Sequence, residues 1–232
     1  MPSHARSLSL ALLLALAAPT LIACGEDHTE GVATATVTDP ATPPPTTTTP
    51  PGTAEPAAAA TAPLAIARDR STVGFTAAKV TASHDGSFSD FSGSITLAPN
   101  DDITASSVEV TIQMDSLQIE PERLAGHLRT PDLLDVAQFP TAVFTSTRIA
   151  AGSTEAINGT PATHTVTGNL TLHGQTHAIS FPAIIAVSAT EVSARAEFSV
   201  NRQDFGITYP GMPDDLIRDA VVIRFDVHAP RS

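Results

Sequence analysis

From Leu64 onward, apolar side chains recur at every second position, stretch after stretch. "VEVTIQM" puts Val108, Val110, Ile112 and Met114 on one side. "HTVTGNLTLHG" does the same with Val166, Gly168, Leu170 and Leu172, and "AISFPAIIAV" with Ile179, Phe181, Ala183, Ile185 and Val187. "VSARAEFSV" aligns Val192, Ala194, Ala196, Phe198 and Val200; "AVVIRFDVHA" aligns Val221, Ile223, Phe225 and Val227. "FSGSITLAP" aligns Phe91, Gly93, Ile95 and Leu97, while "STVGFTAAKV", with Phe75, and "TAVFTSTRI", with Phe144, are weaker but β-branched. The alternate positions are Thr, Ser, Glu, Arg, Asn and His. A period of two means strands, and one wet face per strand suits an antiparallel sheet. About eight such strands joined mostly by short turns predict an all-β barrel or sandwich. "LHGQTH" reads as a tight hairpin at Gly174 and "AAGSTEAINGTPAT" as a longer one.

Glycine interrupts several strands, at Gly74, Gly93 and Gly168. Glycine inside a strand marks a bulge, a bend or a close backbone approach, which a strongly coiled sheet needs in order to close. An eight-stranded barrel is either filled by its own side chains or holds one small ligand. The inward faces mix Gly93, Gly168, Ala183, Ala194 and Ala196 with Phe, Ile and Leu. Those small residues either leave a lumen or fit the taper of a packed barrel, and the residues alone leave both open.

One segment breaks the pattern. Residues 120–140, "EPERLAGHLRTPDLLDVAQFP", carry Leu124, Leu128, Leu133 and Leu134 at helical spacing. Pro121 suits a first turn and Pro131 ends the helix. A short helix between barrel strands plugs or lids one end.

The N-terminus has a different character. Arg6 precedes an apolar run at residues 8–18, the layout of a secretory signal, and the run is short for a bilayer span. "LIAC", residues 21–24, resembles a bacterial lipobox, which implies that residues 1–23 are cleaved and Cys24 is diacylated. Cys24 is the single cysteine, so no intrachain disulfide is possible. Residues 24–63 are rich in Pro, Thr and Ala and read as a disordered linker, leaving residues 64–232 as one β-barrel domain. With 24 Asp and Glu against 12 Lys and Arg, and no basic stripe, nucleic-acid binding is not expected.

Catalytic patterns are sparse. His173 and His177 in "HGQTH" lack carboxylate or cysteine companions at metal-site spacing and read as hairpin residues. No Gly-x-Ser-x-Gly elbow occurs, and Asp101–Asp102 and Asp214–Asp215 read as solvated turn charges. "NGT" at residues 158–160 is explained by an Asn-Gly turn. "NRQDFG", residues 201–206, packs five chemistries into six residues, yet strands run into it and out of its excursion. It reads as a corner, in which Asn201 and Asp204 satisfy turn backbone, Gly206 supplies the geometry, Phe205 is buried and Arg202 is paired.

Taken in order, "DRSTVGFTAAKV", "GSFSDFSGSITL", "ERLAGHLRTPDLLDVAQFPTAVFTSTRI", "VTGNLTLHGQTHAISFPA" and "FSVNRQDFGI" resemble the YceI-like family across nearly all of residues 64–230. The resemblance implies an eight-stranded antiparallel lipocalin-like barrel with a short helical insertion and a bacterial envelope location. It also implies an apolar lumen for a polyisoprenoid, a quinone-like molecule or another fatty amphiphile. It implies no enzymatic activity, no cofactor beyond that lipid and, in many members, a homodimer. An aromatic common near the family's first strand is replaced here by Ala65 or Ile66, and a Phe of the "DLLD" stretch by Leu133 and Leu134.

The lumen candidates are then Phe75, Phe91, Val110, Ile112, Met114, Leu128, Leu133, Phe144, Leu170, Phe181, Ile185, Phe198, Ile223 and Phe225. Arg129, His127 and Arg202 are candidates for a ligand headgroup, because an arginine fork matches phosphate or carboxylate. The competing reading for the arginines is an internal ion pair, for example with Asp132 or Asp204. Two other functions stay in play: a stress-response or interaction protein with a packed barrel, and an isomerase or hydratase using the barrel as a chamber.

Overall fold

The computed structural model describes residues 28–40 and 62–231. The signal-like residues 1–23, Cys24 and the Pro/Thr-rich residues 41–61 lie outside them. Eight windings make the wall. The first runs through Leu64–Ala65 and Thr72–Ala78, the second through Ser83–Phe88 and Phe91–Thr96, the third through Ser107–Gln113 and Leu117–Ile119. The others are Thr141–Ala151, His164–Leu172, Gln175–Val187, Glu191–Asn201 and Ala220–Pro230. Each pairs antiparallel with the next, and the last pairs with the first through Val222–Asp226 and Thr72–Thr76. The sheet therefore curls onto itself, as the period-two pattern and the interrupting glycines predict.

Gly168 shows why such curling needs glycine. The pairing with Thr141–Ala151 slips by one residue between Thr167 and Gly168, so a bulge sits there. A Cβ at Gly168 would come within 2.5 Å of both the Phe144 ring and the Thr145 carbonyl oxygen. The ring could yield, but the neighbouring strand's backbone could not. Gly168→Ala is expected to cost about 1–3 kcal/mol by overpacking, read as a lowered denaturation midpoint in urea. An unchanged midpoint would show that the strand pair is looser than its geometry.

The turns follow their sequences. His173 and Gly174, both at positive φ (50° and 71°), join His164–Leu172 to Gln175–Val187 in a two-residue hairpin. Asn158 and Gly159 (49° and 76°) form the same kind of turn between Ala156–Ile157 and Thr160–Pro161. The helix spans Glu122–Leu128. Pro121 lies just outside it as the cap residue, and the helix stops before Thr130 and Pro131.

The stretch read as a linker is corrected in part. Ala33–Thr34 pairs parallel with Phe198 and Ser199, and Thr36–Thr38 pairs antiparallel with Ala178–Ser180. These two short strands fill a split in the wall. Gln175–Val187 and Glu191–Asn201 pair with each other only through Ile184–Val187 and Val192–Arg195. Proline explains where that pairing stops. Ile185 donates its N–H to Thr163 on the opposite neighbour, so the alternate N–H groups point toward Glu191–Asn201. Pro182 falls on that alternate register and has no N–H to give. Beyond it the N-terminal segment takes over, with Ala35 donating to the Ser199 carbonyl at 2.8 Å and Ser199 donating to the Thr34 hydroxyl at 3.2 Å. The local sequence "GVATATVTDP" is β-branched and alternating, a strand signal overshadowed by the proline-rich run behind it.

Candidate functional site: an apolar lumen with one polar rim

The barrel holds a cavity of about 580 Å³ and, toward the other end, a smaller one of about 70 Å³. Phe144 and Phe225 line both. Four rings from four strands form the partition: Phe144–Phe181 at 5.4 Å, Phe181–Phe198 stacked at 4.1 Å, and Phe198–Phe225 at 6.2 Å between centroids. Such ring pairs add to the burial of their area and fix the partition in place.

The candidates divide accordingly. Phe75, Ile112, Met114, Leu128, Leu133, Phe144, Leu170, Phe198, Ile223 and Phe225 line the large cavity. Val110, Phe181 and Ile185 line the small one. Phe91 lines neither and is corrected: it is 4% exposed and packs in the core cluster that includes Ile66, Val73, Ile112 and Met114. The strand-face argument places a side chain inside the barrel but does not separate lining from packing. Both readings of the small residues hold in different places. The ring of Phe144 lies where a Gly168 side chain would be, whereas Ala183, Ala194 and Ala196 border the small cavity.

The titratable groups of the large cavity, Lys79, His84, Arg123, His127, Arg202 and Asp215, lie with Tyr209 at one end, where the helix and residues 206–219 gather. His127 sets its ring edge-on to Tyr209 at 5.4 Å and is 4.0 Å from Asp132. Lys79 is ion-paired with Asp215, and that pair, with two hydrogen bonds from Thr81, holds the Asp215 carboxyl below the usual carboxylate range. His84 donates to the Glu120 carbonyl at 3.1 Å.

Arg129 and Arg202 are already engaged by the protein. Arg202 is 5% exposed and donates to the carbonyls of Ile207 (2.6 Å), Arg218 (3.2 Å) and Ile217 (3.4 Å) and to the Asp219 carboxylate (2.9 Å). Its acid is therefore Asp219, not Asp204. Arg129 donates to the carbonyls of Asp115 and Leu117 and approaches the carboxylates of Asp115 and Glu122, not Asp132; it stands outside the cavity lining. His127 is the headgroup candidate that faces the cavity from a half-exposed position.

"NRQDFG" is a corner. Asn201 accepts from the Gln203 N–H at 2.9 Å, Gly206 closes the 3-10 turn at φ 74°, and Phe205 is fully buried. The "HGQTH" histidines lock onto it: His173 donates to the Phe205 carbonyl at 3.1 Å, and His177 packs edge-on against the Phe205 ring at 5.3 Å. Tyr209, Met212 and Ile217 were not foreseen as lining, because their excursion has no periodicity. Leu124 and Leu134 could have been found from the same helical spacing as Leu128.

Comparison with known proteins agrees with this architecture. Residues 64–229 match the YceI-like domain. Protein YceI of Salmonella arizonae is 32% identical over 129 residues, covering 53% of this chain and 63% of that protein, so the match spans less than two thirds of the relative. Two solved structures share the fold. BcnA of Burkholderia cenocepacia superposes with a TM-score of 0.59 at 21% identity, over 71% of this chain and 99% of that one. A polyisoprenoid-binding domain from Saccharophagus degradans superposes with a TM-score of 0.55 at 17% identity, over 72% and 98%. On its sequence match, the chain belongs to the YceI-like family.

Proposed function

We propose that this protein is a bacterial envelope lipoprotein that holds an isoprenoid or similar long-chain amphiphile in its barrel and sequesters or carries it. The supporting observation is the cavity of about 580 Å³, apolar along its walls and polar only at one rim. That size falls within the range of small-molecule sites, and each ligand methylene it takes from water contributes roughly 0.8 kcal/mol. A prenyl or acyl chain needs no polar partner, while its headgroup would meet His127 and Tyr209 at the rim. The void favours a carrier over a packed interaction protein. The engagement of Arg202, Lys79, Asp215 and His84 by protein partners favours a binder over a reaction chamber. The lipobox-like "LIAC" supports anchoring through Cys24.

The test is mass spectrometry of organic extracts from protein purified without added lipid. A stoichiometric long-chain amphiphile is the expected result. Extracts free of lipid, with no binding of cis-parinaric acid by the pure protein, would sink the proposal.

A further inference from the structure

Three large apolar side chains are exposed among the described residues: Val80 (58%), Met212 (62%) and Leu216 (48%). They come from two distant parts of the chain and meet. The Val80 N–H donates to the Leu216 carbonyl at 3.0 Å, and Met212 lies on the hairpin arm opposite Asp215–Leu216. This tip is held firmly. Lys79 pairs with Asp215, Thr81 donates to Asp215 through its N–H and hydroxyl at 3.1 and 2.9 Å, and Arg218 donates to the Ala78 carbonyl at 2.8 Å. Lys79 and Asp215 therefore neutralise each other, and the tip's outward chemistry is the three apolar side chains with one exposed carboxylate, Asp214, in the hairpin turn beside them. Met212 also lines the large cavity, so the tip is continuous with the lumen.

The N-terminal segment reaches this same end. His28 donates from Nε2 to the carbonyl of Ala220 at 2.9 Å, and Ala220 pairs with Asn201 at the rim end of the wall. Four residues from there to Cys24 reach at most about 14 Å. The long Pro/Thr-rich stretch follows the segment built into the wall, so it does not separate Cys24 from the barrel.

We propose that Val80, Met212 and Leu216 form a bilayer-docking lip that seats the open end of the barrel on a lipid surface, so that ligand passes between membrane and lumen without crossing water. The inference rests on the lumen being a lipid site. A chain with a formal net charge of −12 is not drawn to anionic headgroups, so docking is apolar and persists on zwitterionic lipid at high salt.

The chain contains no tryptophan, which makes a single introduced one a clean reporter. The full chain carrying Met212→Trp is mixed with phosphatidylcholine vesicles whose acyl chains are brominated. The same is done with Ala189→Trp, which sits in the exposed turn at the far end of the barrel. The Met212→Trp emission is expected to shift blue and fall roughly twofold by contact quenching, at low and high salt alike, while the Ala189→Trp emission stays unchanged. No quenching at position 212, as a protein-docking lip would give, overturns the proposal. Equal quenching at both positions, as nonspecific adsorption would give, also overturns it. Because this readout needs no bound ligand, its failure is distinct from lipid-free extracts, which bear on the lumen.

Discussion

Replacing Ile223 with tryptophan is expected to empty the barrel of ligand while leaving it folded. Ile223 sits mid-strand between Phe198 and Phe75 in the ladder, and its side chain faces the large cavity. A larger ring there grows into empty space rather than into neighbouring backbone, so the overpacking penalty of a filled core does not apply in full. Displacing about three ligand methylenes removes roughly 2.4 kcal/mol, or about fiftyfold in affinity. Ile223→Phe, filling less, should lose less. Titration with cis-parinaric acid and lipid content after purification give the affinity. Thermal melting confirms the fold. Unchanged ligand content in a well-folded Ile223→Trp variant would place the ligand elsewhere.

Arg202→Met is expected to act on stability instead. The buried guanidinium ties the end of Glu191–Asn201 to Ile207, Ile217, Arg218 and Asp219, and so fixes the whole excursion that forms the rim. Methionine fills similar space but leaves three carbonyls without this donor and Asp219 without its cation. Since Asp219 is half exposed, the carbonyls dominate, and the loss is about 3 kcal/mol. For a domain of this size that lowers the melting temperature by roughly 10 °C. Arg202→Lys keeps the charge but not the fork, and is expected to recover less than half of it. If Arg202→Met kept its melting temperature and lost only ligand affinity, the residue would be a headgroup contact after all.

The strand faces were legible because alternation and burial are coupled residue by residue: a sheet with one wet side must write its inner face at every second position. Hence eleven of the twelve lumen candidates taken from the strand pattern line one cavity or the other, while Leu128 and Leu133 came from helical spacing. Phe91 failed because alternation reports which side of the sheet a residue faces, not whether another side chain packs over it. The corner at "NRQDFG" was legible for a local reason, since Asn201 and Gly206 do their work within one turn. Arg202's partner was not, because Asp219 is seventeen residues away and Asp204 is nearer in sequence.

The N-terminal strands show the same boundary from the other side. Residues 33–38 contain a β pattern, but six residues of it bury too little to form a sheet alone. They order because Pro182 denies the wall a donor and opens a place between two strands far along the chain. The aromatic partition and the meeting of Val80 with Met212 and Leu216 are likewise products of closure. By itself the sequence determined the fold class, the inward faces, the turns and the family, because these are set by local periodicity and by ordered motifs. Only the tertiary structure decided where the lumen is open, which arginines are engaged and that the N-terminal segment is part of the wall. Those depend on which distant backbone groups and side chains closure leaves without a nearer partner.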